Sequence, residues 1–509
     1  MSIVLHNELN SHNFSSPFTS LIPHLGIKRA LQRAHFVKTK GESAFDMFTA
    51  QLNSCLMGDN LWRAFNSTAK AFFPASRAAM YRFMANDKYN WSMLCMYIAS
   101  NASQKIMKLN PDDTFCFVVD DSLEERSDSA KYVEKCTMTF DHNSHTYVKG
   151  FTALQLGWTD GHSFLTMGSK LLASNESNRK RKACSPRPKR KKAIVTDKRT
   201  YQGSIRAQAD SSKPDLVVDW VKQALNHGIK AEYILMDSWF NYEPLLKKLK
   251  ELKVDTIGML KLDNRKYSVL NNRGKAKEYL SLEDICPLAK KKHRKSDPEE
   301  IIGSIKVMAH TNNEPVTKGI PLKLVFIRNR HNKEDFLVLA STDTSLDSKR
   351  IVQLYSRRWK IETNFHNQKA FFGMNSECQS TDFTTISAYA NLACIRANLM
   401  EYKRRIENDV RAAGELFYSA CQALKEIPFA DALNRLLQAY NSIVDDLEKA
   451  GCIAKGKLKK AKKILKQKLS VWYDESSAYI QKILELYSTE ITSPILKRIK
   501  YGCHRLLKS

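Results

Sequence analysis

The sequence predicts a mixed α/β sheet with a helical region on either side. Two apolar runs, FCFVVD at 115–120 and AEYILMD at 231–237, each end in a carboxylate, which is typical of buried strands in a central sheet. A stretch with helical periodicity, SKRIVQLYSRRWKIETNFHNQKAFFG at 348–373, follows a strand-rich segment. Together, these three observations predict strands and helices in one α/β fold.

The first part of the chain, to about residue 110, has helical periodicity. Segments 36–57 and 92–107 repeat apolar residues at spacings of three and four. Between them, a Pro-containing turn precedes Ser76, a good N-cap for a short helix that carries Arg77 and Arg82. Helix, turn and short basic helix suggest a helix-turn-helix, so we expect Arg77 and Arg82 to contact DNA.

The middle of the chain changes to strand periodicity. Two strand-like segments meet at Asp160-Gly161, a hairpin turn signal, and an amphipathic helix then ends near Gly228. Residues 262–345 are rich in strand-like segments separated by polar loops, and they precede the helical stretch, which we expect to form one long helix. From about residue 380 the chain is again helical in pattern and rich in lysine.

The charge of the chain points to a polyanionic partner. It has 81 Lys+Arg against 53 Asp+Glu, a formal net charge of +28 at a pI of about 9.5. The densest basic run, RKRKACSPRPKRKK at 179–192, is interpreted as an exposed loop that follows a phosphate backbone, although a merely solvated loop has the same composition. The predicted DNA-contacting residues of this run are Arg179, Lys180, Arg181, Lys182, Lys189, Arg190, Lys191 and Lys192.

Other features of the composition indicate the compartment. The 11 cysteines are odd in number and irregularly spaced, which argues against a disulfide framework or a zinc finger. No stretch is long and apolar enough for a transmembrane helix, and the opening segment lacks a secretory signal pattern. We therefore expect a cytoplasmic protein without a membrane partner.

Three acidic positions are candidates for metal ligands. Asp120 and Asp237 close the two buried strands, and Glu362 lies in the long helical stretch. Phosphodiester cleavage with two ions of Mg²⁺ or Mn²⁺ requires such a set of carboxylates. Asp120 directly continues its strand and is preferred, but the adjacent Asp121 remains an alternative.

A row of polar residues accompanies Glu362. Tyr355, Arg358, Glu362 and Lys369 fall within about 60° of one another on a helix of 100° per residue. An apolar stripe, which contains Leu354, lies beside this row. The helix can therefore pack on the sheet while the polar row faces a site.

This row and the two aspartate segments resemble a known family. YSRRWKIETNFHNQK fits the Y-x-x-R-x-x-x-E-x6-K signature of bacterial insertion-sequence transposases of the family numbered four, and FVVDDS and ILMDSWF resemble that family's aspartate motifs. The resemblance implies an RNase H-like mixed sheet with a β-rich insertion before the catalytic glutamate. The implied segments are a helical DNA-binding region (1–110), a catalytic core in two parts (111–261 and 346–378), the insertion (262–345) and a helical C-terminal region (379–509).

The resemblance also implies an activity: binding of transposon terminal inverted repeats, metal-dependent cleavage and strand transfer, cut-and-paste through a hairpin intermediate. Asp120, Asp237 and Glu362 would be the catalytic metal ligands of a nucleoid-associated homodimer acting on transposon ends and target DNA. Arg358 and Lys369 would hold phosphates that Tyr355 helps to place. Trp239 would stack on a displaced base, unless it is an ordinary core aromatic. A structure-specific nuclease and an inactive DNA-binding regulator are the alternative readings.

Overall fold

The described part of the chain lies mainly between residues 21 and 424 of a computed structural model. It comprises residues 18, 21–57, 60–141, 144–173, 184, 197–270, 276–294, 297–310, 315–329, 335–424, 443, 446–447, 449–452, 454 and 457–476. The predicted DNA-contacting residues of the basic run at 179–192 lie outside these residues.

One mixed sheet contains all the strands of the described residues. Its strands are β1 (Cys116–Glu125), β2 (Thr137–Asp141), β3 (Thr146–Thr159), β4 (Phe164–Leu172), β5 (Tyr233–Met236), β6 (Asp255–Leu260), β7 (Lys266–Leu270), β8 (Ala276–Ser281), β9 (Ile301–Ala309), β10 (Ile320–Arg328) and β11 (Phe336–Ser341). The strand order is β2-β3-β1-β5-β6-β11-β10-β9-β7-β8, and β4 also pairs with β3. β5 is parallel to β1 and β6, whereas the other pairings are antiparallel.

Helices precede, interrupt and follow the strands. They are α1 (Ile27–Arg33), α2 (Ala44–Asn53), α3 (Leu61–Ala64), α4 (Arg77–Met84), α5 (Trp91–Met107), α6 (Tyr201–Ala209), α7 (Lys213–Asn226), α8 (Glu243–Glu251), α9 (Leu282–Lys290), α10 (Ser348–Ser356), α11 (Trp359–Ala370), α12 (Phe383–Ile406) and α13 (Leu458–Glu475), with 3₁₀ turns at Ser54–Met57, Thr68–Phe72 and Val316–Lys318. The mixed α/β architecture expected from the sequence is confirmed. No helix of the described residues is long and apolar enough to cross a membrane.

The predicted hairpin of the core forms as expected. β3 and β4 meet at Asp160-Gly161, where Gly161 has a φ of +94°, a conformation that side chains with a Cβ rarely adopt. A Cβ there would also lie 2.8 Å from Cζ of Arg357, whose guanidinium packs against the turn. The positive φ therefore favours glycine, and an added Cβ would in addition displace the Arg357 side chain.

β1 is longer than the sequence indicated. The expected strand stops at Asp120, but the observed strand continues through Asp121 to Glu125. The polar continuation is held by β3, because Ser122 pairs with Ala153 and Glu125 pairs with Gly150. The two adjacent aspartates therefore lie inside a strand, and their side chains point to opposite faces of the sheet.

The expected single long helix is divided into α10 and α11. At the division, the amides of Arg357 and Arg358 donate to the carbonyls of Leu354 and Tyr355, three residues earlier, at 3.0 and 2.9 Å. Such i→i−3 bonds tighten the chain into a 3₁₀-like turn. The prediction of an unbroken helix was therefore wrong.

The apolar stripe of this helical pair packs against the sheet. Leu354 and Ile361 are fully buried against Val118 of β1 and Leu235 of β5, and Phe365 joins the same core. This burial fixes the rotation of α10 and α11 about their axes. Their polar residues are consequently directed along the face of β1 that carries Val118.

The segment 262–345 continues the sheet beyond β6. β11 pairs with β6, and β10, β9, β7 and β8 follow in turn. One strand-like segment of this region, EYLSLED at 278–284, is a strand only in its first half, because β8 ends at Ser281, whose hydroxyl accepts the Asp284 amide at 3.2 Å and caps α9. The capping bond explains why the second half of that segment is helical.

Compact packing divides the chain into two units. One comprises 21–55 and 59–414 and contains the whole sheet together with α12, whose residues are almost all buried. The other comprises 1–20, 56–58 and 415–509; its described part includes helical residues 415–424 and the lysine-rich α13.

Candidate active site

Two of the acidic residues come together where the parallel pairing of β1 with β5 ends. The parallel pairing of β1 with β5 ends at Val119 and Met236, so the next residues, Asp120 and Asp237, lie side by side. Val118 and Leu235 both face the core under α10 and α11, and the alternation of strand side chains places Asp120 and Asp237 on that same face. Asp121 therefore faces the other way.

Asp237 is fixed by the loop that follows it. Its Oδ1 accepts the amides of Trp239 at 3.0 Å and Phe240 at 3.3 Å. Burial raises the pKa of Asp237, and the negative charge of Asp121 adds to this, while the two amides and Arg358 oppose it. The loop therefore orients this carboxylate before any ligand arrives.

Arg358 joins the first carboxylate to the third. Its Nη1 donates to Oδ2 of Asp120 at 2.7 Å, and its Nη2 donates to Oε1 of Glu362 at 2.6 Å. Arg358 lies in the 3₁₀-like turn that precedes α11, and its side chain reaches β1 from this turn. One guanidinium thus bridges two of the three candidate ligands and offsets part of their negative charge.

Asp120 holds its proton unusually strongly. Burial raises its pKa to about 7; Asp237 and Asp121 contribute in the same direction, and Arg358 opposes them. The side chain of Asp120 is only 16 % exposed. A second cation would relieve the repulsion between these carboxylates.

Tyr355 and Lys369 extend the row along β1. The Arg358 guanidinium lies 5.9 Å from the centre of the Tyr355 ring, and burial raises the pKa of Tyr355 to about 12, which keeps its hydroxyl a donor. Lys369 Nζ donates to Oγ of Ser122 at 2.9 Å, and burial lowers the pKa of Lys369 while Glu124 opposes this effect. Ser122 stands two residues beyond Asp120 on the same strand face, so alternation from Asp120 could have identified it.

Trp239 lies on the surface beside the acidic residues. Its side chain is 54 % exposed, so it is not a core aromatic, and its ring packs edge-on against Phe240 with 4.8 Å between centroids. Lys213 Nζ lies 4.5 Å from the centre of the indole ring and 3.0 Å from Oδ1 of Asp121. Sequence reasoning missed Lys213, because SSKPD carries no signal beyond a helix start.

The structure places Arg77 and Arg82 on a different element. Both are exposed on α4, whose opposite side buries Met80, Phe83 and Met84. Ser76 caps this helix as predicted, accepting the amide of Ala79 at 3.4 Å. These arginines are accessible for a DNA backbone, although they are not part of the acidic site.

The donor set suits a hard divalent cation, but the observed arrangement is bridged by arginine. Carboxylate oxygens are the ligands that Mg²⁺ and Mn²⁺ prefer. Among the described residues, no group of three His, Cys, Asp or Glu is close enough to hold a metal ion. The Arg358 guanidinium, bound to both Asp120 and Glu362, supplies positive charge at this place instead.

Comparisons with known proteins give the site its context. A search of curated proteins finds no match to this chain. Residues 152–399, just under half of the chain, match the family model described as "Transposase DDE domain". The matched range includes Asp237 and Glu362 and begins after Asp120 and Asp121. The mixed sheet agrees with an RNase H-like domain of this kind. Residues 152–399 are therefore similar to a transposase DDE domain, a domain of DNA transposition and recombination.

Proposed function

We propose that this protein is a transposase, which binds the terminal inverted repeats of an insertion sequence of the family numbered four and moves the element by cut-and-paste. The observation that carries the proposal is the pairing of Asp120 with Asp237 on neighbouring strands, with Arg358 joining Asp120 to Glu362, in a chain whose residues 152–399 match a transposase DDE domain. A homodimer in the synaptic complex would bring two such sites to two transposon ends, in a nucleoid-associated enzyme.

Asp120, Asp237 and Glu362 would hold two Mg²⁺ or Mn²⁺ ions. When bound, such ions activate water or a 3′-hydroxyl and stabilise the leaving oxygen. Asp120 is preferred to Asp121 because it shares a sheet face with Asp237 and an arginine with Glu362. Asp121 is instead paired with Lys213.

Arg358 has two successive tasks in this proposal. Before DNA binds, it neutralises Asp120 and Glu362 and so limits repulsion within the site. If cations occupied those carboxylates, its guanidinium would be available to a phosphate of the cleaved end, whose oxygens its planar fork matches.

The neighbouring residues would place the strand. Lys369 lies along the same strand face and would bind a second phosphate. The ring of Tyr355 lies under the Arg358 guanidinium and supports it. The exposed indole of Trp239 offers a stacking surface for a base displaced when a hairpin forms. Arg77, Arg82 and the basic run at 179–192 would bind flanking backbone.

The decisive experiment uses labelled duplexes that carry the ends of the element encoding this chain, with Mg²⁺. Asp237→Ala and Glu362→Ala should abolish cleavage and leave binding of the ends largely intact, because a metal ligand contributes chemistry rather than groove contacts. Glu251→Ala, an exposed acid at the end of α8, is the matched control and should cleave normally. Cleavage that survives both site variants would refute the assignment, and hydrolysis without strand transfer would identify a structure-specific nuclease.

A further inference from the structure

Lys213 is the first residue of α7, and its ammonium group contacts both aspartate segments. Its Nζ lies 3.0 Å from Oδ1 of Asp121 on β1 and 4.5 Å from the ring centre of Trp239 in the loop after β5. These contacts join three elements that are far apart in sequence. Both members of the Lys213–Asp121 pair are about one quarter exposed, so solvent screens the pair only in part.

The contact with Asp121 affects the ligand set. Asp121 is adjacent to Asp120 and adds a second negative charge to this part of β1, but it points to the opposite sheet face. A lysine on Oδ1 of Asp121 offsets this negative charge and keeps the carboxylate turned toward α7. The site is thereby left with one aspartate from β1, not two.

The contact with Trp239 affects the stacking surface. A half-exposed indole on a loop samples several rotamers unless neighbours hold it. Phe240 packs at its edge and Lys213 lies over one face, so the position of the ring is fixed from two sides. The remaining surface of the indole is exposed to solvent.

We propose that Lys213 is a positioning residue of the DNA site. It holds the Trp239 indole ready to receive a nucleobase and keeps Asp121 out of the metal ligands. The inference rests on the proposed function, because it assigns Trp239 a contact with DNA.

The first test observes Trp239 directly in the full-length protein without DNA. The chain has seven tryptophans, so 5-fluorotryptophan labelling gives a fluorine spectrum in which Trp239→Phe identifies one resonance. Lys213→Met keeps the aliphatic stem and removes the charge, and should shift and narrow that resonance. Lys213→Arg should restore it, because arginine retains both the ion pair and the cation–π contact. An unmoved resonance in Lys213→Met overturns the proposal.

The second test follows the two chemical steps on labelled ends. Lys213→Met should slow hairpin formation about two- to fivefold more than it slows first-strand nicking, as expected for loss of one cation–π contact to Trp239. The matched control is Lys248→Met, which should have no effect on either step. Lys248 Nζ lies 2.8 Å from Asp215, which is in the first turn of α7, as Lys213 is. Equal slowing of both steps, or no slowing of either, overturns the proposal. If the wild-type protein fails to cut, the proposed function fails, whereas the fluorine spectrum still tests the contact.

Discussion

Replacement of Asp120 by Asn should stabilise the metal-free protein, and the gain should increase with pH. The pKa of Asp120 is raised from an ordinary 3.8 to about 7, mainly by burial. Between these values the unfolded chain has lost the proton and the folded chain retains it, so the wild-type protein loses stability as pH rises. Asn has no proton to lose, and the variant escapes this cost.

The size of the effect follows from the two pKa values. Each pH unit between them corresponds to about 1.4 kcal/mol, which gives a gain of about 2 kcal/mol near pH 5.5 and at most about 4 kcal/mol at about pH 8.5. Below the ordinary pKa the gain should vanish. Asn can still accept a hydrogen bond from Arg358, which keeps its ion pair with Glu362.

Urea unfolding with a chelator present, at the two pH values, measures this difference. Asp121→Asn is the control: its carboxylate is in a part-exposed ion pair with Lys213, so its loss should change the unfolding free energy by about 1 kcal/mol or less. A gain for Asp120→Asn that is equal at both pH values, or smaller than that of Asp121→Asn, would refute the reasoning.

Three further predictions concern ligands. Arg358→Met should raise the affinity for Mn²⁺ several-fold in calorimetry without DNA, because the guanidinium no longer competes for Asp120 and Glu362. Arg357→Met is the control, and a weaker affinity of Arg358→Met would contradict the competition. Trp239→Ala should keep nicking near normal and slow hairpin formation about ten- to a hundredfold, the equivalent of one stacked base, and parallel loss of both steps would indicate a structural tryptophan. Serine at the basic positions of 179–192 should flatten the salt dependence of DNA binding, whereas an unchanged slope would mean that this run does not touch DNA.

The sequence predicted the sheet well because its strands are strongly apolar. FCFVVD and AEYILMD are strands in the structure, and their parallel pairing explains why two carboxylates distant in sequence become neighbours. The continuation of β1 through Glu125 could not be predicted, because polar residues acquire strand structure there only by pairing with β3. The break at Arg357 is equally hidden, since both halves of the stretch have helical periodicity.

Contacts between distant segments were the least predictable part of the site. Lys213 reaches Asp121 from 92 residues away, and neither local sequence shows that the two will meet. The ion pair of Arg358 with Glu362 joins residues four apart in helical spacing. The ion pair of Arg358 with Asp120 depends instead on how α11 packs against the sheet. Helical spacing therefore predicts the row, and tertiary packing decides what the row faces.

The strand order places the carboxylates away from the strands of 262–345. Asp120 and Asp237 follow the last registered pair of adjacent strands, so their spacing derives from the fixed distance between hydrogen-bonded neighbours, about 4.8 Å. The strands of 262–345 attach beyond β6, on the side of β5 away from β1. Additions at that outer edge can lengthen or shorten the sheet without changing the distance between the two aspartates. The outer edge of the sheet can thus vary in length while the two aspartates keep their spacing.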